Sequence, residues 1–111
     1  MLQSTIDIAE YLNGRTRDDL ESDSMFRRAV INALHEIGEA AVRMSDEGRQ
    51  QLPGIPWELV FRMRNVLVHV YWGIDFDRVW KAAIEDAPVL RAAIESFIRS
   101  TGEDQIPGGS Q

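Results

Sequence analysis

A stretch of sixteen residues without an acidic side chain lies between Glu58 and Asp75, in a chain that is otherwise acidic. It contains the polar and aromatic side chains best suited to chemistry, which are Arg62, Arg64, Asn65, His69, Tyr71 and Trp72. An imidazole exchanges protons near neutral pH, and a guanidinium stays charged and holds a phosphate through paired hydrogen bonds. These residue types fit acid–base chemistry beside a phosphate. The spacing alone, however, more often indicates a structural arginine, a hydrogen-bonded histidine and core aromatic residues.

On an ideal helix that begins at Pro56, these side chains divide between two faces. One polar stripe contains Glu58, Arg62, Asn65 and His69. Arg64 and Tyr71 lie two turns apart on another side. The remaining positions are apolar over nearly twice the arc of roughly 100° that one core-facing side requires. The excess apolar surface predicts a homodimer in which two copies of this helix pack across a twofold axis. Such a dimer brings two Arg64 and two His69 side chains towards each other.

The elements that position this segment are predicted to be helices, so the fold class is an all-α bundle of about four to five helices. The first helix covers residues 2–12 and ends at Gly14, because glycine readily adopts the left-handed conformation that ends helices. Residues 15–23 are polar and are predicted to form a connecting loop, with one helical turn around Arg17–Glu21.

The longest predicted helix covers residues 25–47, since its apolar side chains recur every three or four positions. Ser24 is its predicted N-cap and Gly48 its predicted end. A loop follows, and the helix that carries the acid-free segment is predicted over residues 56–71, with its proline at the first helical position.

The last third of the chain is also predicted to be helical. Asp75 or Asp77 caps a further helix, which Pro88 either kinks or separates from a helix over residues 89–99. Residues 100–111 contain proline, glycine and serine, and are predicted to form a flexible C-terminal tail.

The 111-residue chain is expected to form one domain over residues 1–99, and 44% hydrophobic residues suffice for a core. It has 12 basic and 18 acidic residues, and this net charge of −6 argues against binding nucleic acid over its whole surface. All the basic residues except Lys81 are arginines, which favour planar, bidentate contacts. Four of them could assist nucleic-acid binding, or they could form a solvated surface: Arg15, Arg17, Arg27 and Arg28.

The absence of cysteine excludes disulfides, thiol catalysis and thiolate metal sites, and it fits a reducing cytoplasm. The two histidines are not spaced as zinc ligands, and no glycine-rich phosphate loop is present. We therefore expect no metal, no cofactor and no nucleotidyltransferase activity in the chain itself. No apolar run approaches the roughly 20 residues of a membrane span, and no signal-peptide pattern is visible, so a cytoplasmic protein without a membrane partner is predicted.

The pattern Arg-x4-His-x-Tyr, with a polar residue directly after the arginine, is present in Arg64-Asn65-Val66-Leu67-Val68-His69-Val70-Tyr71. This pattern resembles the signature of the HEPN superfamily, and specifically that of the HepT-like toxins. Three further stretches resemble the family in the same order, at residues 36–41, 55–57 and 71–80. The resemblance covers roughly residues 6–98 and implies a HEPN-like helical fold.

HepT-like proteins are metal-independent endoribonucleases that act as toxins. Each is paired with a nucleotidyltransferase antitoxin that transfers AMP from ATP onto the motif tyrosine. The resemblance therefore implies that Arg64 and His69 are catalytic, that Asn65 supports them and that Tyr71 accepts AMP. RNA is then the substrate, and the nucleotidyltransferase is the protein partner.

Two acidic residues, Glu36 and Glu39, share one face of the longest predicted helix. Their spacing alone indicates a solvated face, in which Glu39 pairs with Arg43 four residues later. The resemblance suggests instead that Glu39 points towards the motif helix and orients Arg64. His35 belongs to no motif and is interpreted as an ordinary surface or core histidine.

Three hypotheses for the function remain open at this point. The first is an endoribonuclease toxin of a type VII-like toxin–antitoxin pair, neutralised by AMPylation of Tyr71. The second is a non-catalytic HEPN binding partner that accepts AMP from a nucleotidyltransferase. The third is a helical dimer without chemistry. The presence of both Arg64 and His69 favours the first hypothesis over the second.

Overall fold

The computed structural model describes residues 1–66, 73 and 75–105, with side chains as far as residue 101. Within these residues every regular element is a helix, which confirms the predicted all-α class. In chain order the helices are α1 (Leu2–Leu12), α2 (Arg17–Ser22), α3 (Ser24–Arg43), α4 (Asp46–Gln50), α5 (Trp57–Asn65), α6 (Phe76–Lys81) and α7 (Ala87–Gln105). A π-helical segment, Ala82–Asp86, joins α6 to α7. No helix in this described part of the chain is long and apolar enough to cross a membrane.

Helix α3 lies at the centre of the bundle and packs against α1, α2 and α5. Its buried side chains recur every three or four residues, as the sequence predicts: Phe26, Val30, Ala33, Leu34, Ile37 and Ala41. Burial of a large apolar side chain contributes about 1.5–3 kcal/mol to stability. This stripe is therefore the main anchor for α5, which carries the candidate site.

The N-cap of α3 is Asp23, so the prediction of Ser24 is wrong by one residue. The Asp23 carboxylate accepts hydrogen bonds from the backbone N–H groups of Phe26 and Met25, both at 3.1 Å. These bonds, together with the Arg15 guanidinium, lower the pKa of Asp23 below its usual range. A carboxylate also carries the negative charge that a helix N-terminus favours, which a serine hydroxyl lacks.

Helix α3 ends at Arg43, and Gly48 does not end it as predicted, because this glycine lies inside α4. The last carbonyl groups of a helix need donors from elsewhere. Here the Arg49 guanidinium donates to the carbonyl oxygens of Ala41 and Met44, at 3.1 Å and 2.6 Å. A side chain returning from α4 thus caps the helix, and no glycine cap is needed.

Helix α2, Arg17–Ser22, lies where the sequence predicts one helical turn around Arg17–Glu21 within a connecting loop, and it is one residue longer. Thr16 and Asp19 form a capping box at its start, in which each side chain accepts a hydrogen bond from the other residue's backbone N–H. Leu20 is fully buried in the core. The capping box and this one anchor explain why so short a helix forms.

Of the two predicted caps of α6, the structure shows Asp75. Its carboxylate accepts a hydrogen bond from the backbone N–H of Arg78 at 3.1 Å. Pro88 does not split the last helix. Lys81 and Ala87, the residues on either side of the π-helical segment, both have helical backbone angles, so α6 continues into α7. A proline ring collides with the carbonyl group four residues earlier in an α-helix. In this chain that carbonyl belongs to Ile84, which lies in the wider π-helical turn.

Helix α7 extends to Gln105, six residues beyond the predicted end at Arg99. Residues 100–105 of the predicted tail are therefore helical. Residues 106–111, which hold its proline and glycines, lie outside the described part of the chain.

Candidate functional site

The start of α5 is fixed against α4 and the loop that follows it by contacts of a tryptophan. Trp57 donates its indole N–H to the carbonyl oxygens of Arg49 and Leu52, both at 3.1 Å. Ile55, just before the helix, is buried in the core. Pro56 occupies the N-cap position, one residue before its predicted place at the first helical position. These contacts determine which side of α5 faces the rest of the bundle.

The buried side of α5 consists of Leu59, Val60 and Met63. Val60 and Met63 have no exposed surface, and α5 makes its main packing contacts with α3. Arg64 directly follows Met63, about 100° further around the helix. Its side chain therefore leaves α5 at the edge of the α3–α5 interface.

The side chain of Arg64 crosses α3 at Gly38. A Cβ atom placed on Gly38 would lie 3.0 Å from the Cβ of Arg64, 2.9 Å from its Cγ and 3.4 Å from its Cδ. The methylene stem of Arg64 thus occupies the space that a side chain at position 38 would need. Arg64 as a whole is exposed, since a long cationic side chain can pack its stem while its charged end stays in water. The site therefore presents a fixed stem and an accessible positive charge.

Arg62 and Asn65 are exposed on α5, and Arg62 lies on the side of the helix near the π-helical segment. There, burial raises the pKa of Asp86, while the positive charges of Arg62 and Lys81 act to lower that pKa. Arg64 contacts α3 instead. The structure thus agrees with the predicted placement of Arg64 on a different face of the helix from the polar stripe.

Glu39 lies next to Gly38 on α3, but its carboxylate is paired with His35. The Nε2 atom of His35 and the Oε1 atom of Glu39 are 3.7 Å apart, one helical turn along α3. Among the residues described here, neither Arg43 nor Arg64 forms an ion pair with Glu39. The structure therefore does not show Glu39 orienting Arg64, because the arginine reaches α3 through its apolar stem and the described partner of Glu39 is His35 on the same helix.

Glu36 has a structural role that its spacing did not predict. Its carboxylate accepts hydrogen bonds from the Ser4 hydroxyl of α1 and from the Asn32 side-chain amide, both at 3.0 Å. This residue therefore links α1 to α3.

Over residues 1–66, 73 and 75–105, no group of three or more His, Cys, Asp or Glu side chains could hold a metal ion.

His69 and Tyr71 lie outside the described residues, as does Trp72. The structure describes the motif helix only as far as Asn65, with one 3₁₀ residue at Val66. Of the predicted site residues, it therefore places Arg64, Asn65 and Glu39. The roles predicted for His69 and Tyr71 stay predictions.

Three of the arginines that could have assisted RNA binding are engaged within the protein. The Arg27 guanidinium donates to the carbonyl oxygens of Leu20 and Glu21 on α2, at 2.9 Å and 3.1 Å. Arg17 is hydrogen-bonded to Asp77 and Glu21, which raises the pKa of Arg17 above its usual value and joins α2 to α6. Arg15 is hydrogen-bonded to Asp23 at the start of α3. These arginines hold α2 in place, which distinguishes them from Arg64 and its exposed cationic end.

Comparison with known proteins gives a consistent set of relatives. The model of the family described as ribonuclease HepT-like matches residues 1–97. A candidate RNase of Methanocaldococcus jannaschii is 35% identical over 95 residues, covering 86% of this chain and 87% of the relative. A second candidate RNase of that organism is 32% identical over 106 residues, covering 95% of this chain and 88% of the relative. A probable ribonuclease HepT of Thermococcus cleftensis is 36% identical over 90 residues, covering 81% and 82%. No solved structure matches the chain significantly.

Proposed function

The chain belongs to the HepT-like ribonuclease family, and on that premise we propose that it is a metal-independent endoribonuclease and the toxin of a toxin–antitoxin pair. Arg64 and His69 are the proposed catalytic residues, and Asn65 supports them. The observation that carries the proposal is the geometry of Arg64, whose stem is fixed on Gly38 while its guanidinium remains exposed. An arginine held in this way is suited to binding the phosphate of an RNA chain.

Cleavage without a metal uses the 2′-hydroxyl of the RNA as the attacking group. An imidazole accepts the hydroxyl proton while the 2′-oxygen forms a bond to the adjacent phosphorus, and the bond from phosphorus to the 5′-oxygen of the next nucleotide breaks. A protonated imidazole then donates a proton to the departing 5′-oxygen. The products are a 2′,3′-cyclic phosphate and a 5′-hydroxyl. Histidine suits both proton transfers, because its unperturbed pKa is about 6.5.

A shared site in a homodimer accounts for the two proton transfers. Each chain supplies one His69, so two chains together supply an acid and a base, and Arg64 stabilises the negative charge on the phosphoryl oxygens. Trp57, Phe61 and Val66 are only partly buried in the single chain, which supports α5 as the surface where the second copy packs. The dimer contact proposed here runs along α5.

The proposed regulator is a nucleotidyltransferase antitoxin that transfers AMP from ATP to the hydroxyl oxygen of Tyr71, with release of pyrophosphate. Tyr71 follows Arg64 by seven residues, which is two turns if the helix continues. An attached AMP would place a phosphate and a nucleoside beside the cationic site. It would then compete with RNA for the charge of Arg64 and also block access to it.

Expression in bacteria tests both parts of this proposal. The chain alone should arrest growth and produce RNA fragments, and co-expression of the cognate nucleotidyltransferase should relieve the arrest. Tyr71→Phe should remain toxic in the presence of the transferase, because it lacks the acceptor hydroxyl. Tyr11→Phe is the matched control, since Tyr11 is the other tyrosine of the chain and lies on α1. This control should be neutralised like the wild type.

Intact mass spectrometry of the purified proteins gives the chemical readout. After incubation with the transferase and ATP, the wild type and Tyr11→Phe should each gain the mass of AMP, and Tyr71→Phe should not. An unmodified wild type in the presence of an active transferase would rule out neutralisation by AMPylation. Modification and neutralisation without any nuclease activity would favour the non-catalytic AMP acceptor instead.

A further inference from the structure

We propose that Gly38 is a positioning residue for Arg64, because the missing side chain at position 38 provides the seat on which the arginine stem lies. This inference rests on the proposed function, in which Arg64 acts on an RNA phosphate. It adds a residue on α3 to a site that the motif places entirely on α5 and the residues after it.

The distances show why a side chain at position 38 would move Arg64. Carbon atoms of neighbouring side chains normally lie about 3.5–4.0 Å apart. An alanine Cβ at position 38 would lie 3.0 Å from the Cβ and 2.9 Å from the Cγ of Arg64. Rotation of the arginine side chain can move its Cγ, but its Cβ is fixed to the backbone of α5. The two helices would therefore have to move apart by a few tenths of an ångström at this point.

The surrounding core makes such a separation costly. Ile37 and Ala41 on α3 and Val60 and Met63 on α5 have no exposed surface. Close-packed side chains of this kind do not adapt to an added methyl group without strain. A glycine inside a helix is itself less favourable than alanine, because it loses more backbone entropy on folding. Helix propensity thus does not explain glycine at position 38, whereas the contact with Arg64 does.

No acidic partner holds Arg64 in the part of the chain that the structure describes. Glu39, the nearest acidic residue along α3, is paired with His35. Packing of the stem on Gly38 is therefore the contact that sets the direction of the side chain. Arg64 is exposed, so its guanidinium can reach an anionic ligand such as an RNA phosphate from the surface. An arginine bound to a carboxylate would have to break that ion pair before it could bind RNA.

Replacement of Gly38 by alanine tests whether the contact between Gly38 and the Arg64 stem positions the arginine. Gly48→Ala is the matched control. Both changes add one methyl group to a helical glycine, but a Cβ on Gly48 meets only two side-chain atoms and no neighbouring helix, namely Ser45 Oγ at 3.3 Å and Met44 Cε at 3.7 Å. Gly38→Ala should lower kcat for RNA cleavage by roughly 10- to 100-fold, the effect of a small displacement of a catalytic group. Its KM should change much less, because every charge remains. Gly48→Ala should cleave RNA like the wild type.

A thermal-unfolding comparison tests the same contact without relying on activity. Gly38→Ala should lower Tm by several degrees in the wild-type background. In an Arg64→Gly background, which lacks the Cβ and Cγ atoms that would clash, the same change should leave Tm unchanged or raise it. Equal destabilisation in both backgrounds, or wild-type kcat in well-folded Gly38→Ala, would overturn the proposal. A wild type without ribonuclease activity would overturn the proposed function, while the unfolding comparison would still decide whether the seat exists.

Discussion

Replacement of His69 by alanine is expected to abolish RNA cleavage by the purified protein. An imidazole that accepts or donates a proton in the transition state contributes on the order of 10²–10⁴-fold to a rate. In the proposed dimer each substitution removes both the base and the acid, so the loss should lie at the upper end of this range. The measurement is the initial rate of cleavage of a labelled RNA at neutral pH, with the protein concentration high enough to keep the dimer assembled.

The chain provides its own control for this experiment, because it contains one other histidine. His35 is exposed on α3 and is paired with Glu39 at 3.7 Å. His35→Ala removes an imidazole from the same bundle and should leave the cleavage rate within about twofold of the wild type, as expected for a surface substitution with little effect on folding. Light scattering and circular dichroism should show the same oligomer and helicity for both variants. Undiminished cleavage by pure His69→Ala protein, or equal losses in the two variants, would contradict the proposed role.

Arg64→Ala is expected to produce the second large loss, of about 10²–10³-fold in kcat. This magnitude is typical for removal of one group that stabilises developing charge in a transition state. Arg64→Lys should recover only part of the activity, because a lysine ammonium cannot make the bidentate contact of a guanidinium. Rates should be compared at one fixed salt concentration, since phosphate contacts weaken as salt increases.

Arg62→Ala is the matched control for Arg64→Ala. Both substitutions remove one exposed positive charge from α5, so they change the long-range attraction for RNA by a similar amount. Only Arg64 is seated on Gly38, whereas Arg62 lies towards Asp86. Arg62→Ala should therefore weaken RNA binding at most severalfold and leave kcat close to that of the wild type. Similar losses of kcat in both variants would indicate a general charge effect and would contradict a specific role for Arg64.

RNA binding by this protein is expected to depend on the local charge of the site and not on its net charge. A net charge of −6 gives no broad attraction for RNA, but the acid-free stretch between Glu58 and Asp75 contains two arginines and the motif histidine. Two copies of this stretch in a dimer would form a local cationic cleft on an acidic body. RNA binding should accordingly be weak and sensitive to salt, with the contacts concentrated at Arg64.

The sequence predicts those features of the fold that depend on local periodicity. The buried stripe of α3 has the three- and four-residue spacing read from the sequence, and α1 ends near Gly14, which has a left-handed φ of 75°. The start of α5 is predicted to within one residue, since Pro56 is its N-cap and was predicted as its first helical residue. In each case the signal and the structure involve residues within a few positions of each other.

The features that the sequence did not predict depend on contacts between distant residues. A glycine such as Gly48 is typical of a helix end, but α3 is capped by Arg49, which lies outside that helix. Glu39 has the right spacing for several partners, and only the structure shows its pairing with His35. Gly38 carried one signal, a glycine inside an otherwise strong helix, which often marks close packing. Its contact with Arg64 could not be read from the sequence, because it depends on how α5 crosses α3.

Cleavage of a defined RNA in excess EDTA, with chemical analysis of the fragment ends, tests metal-independent cleavage at the Arg64–His69 site most directly. The wild type should cleave at the same rate with and without the chelator. Every upstream fragment should end in a 2′,3′-cyclic phosphate and every downstream fragment should begin with a 5′-hydroxyl, because the 2′-oxygen of the substrate is the nucleophile. Loss of activity in EDTA with recovery on addition of a divalent metal, or fragments that end in a 3′-hydroxyl, would contradict this mechanism.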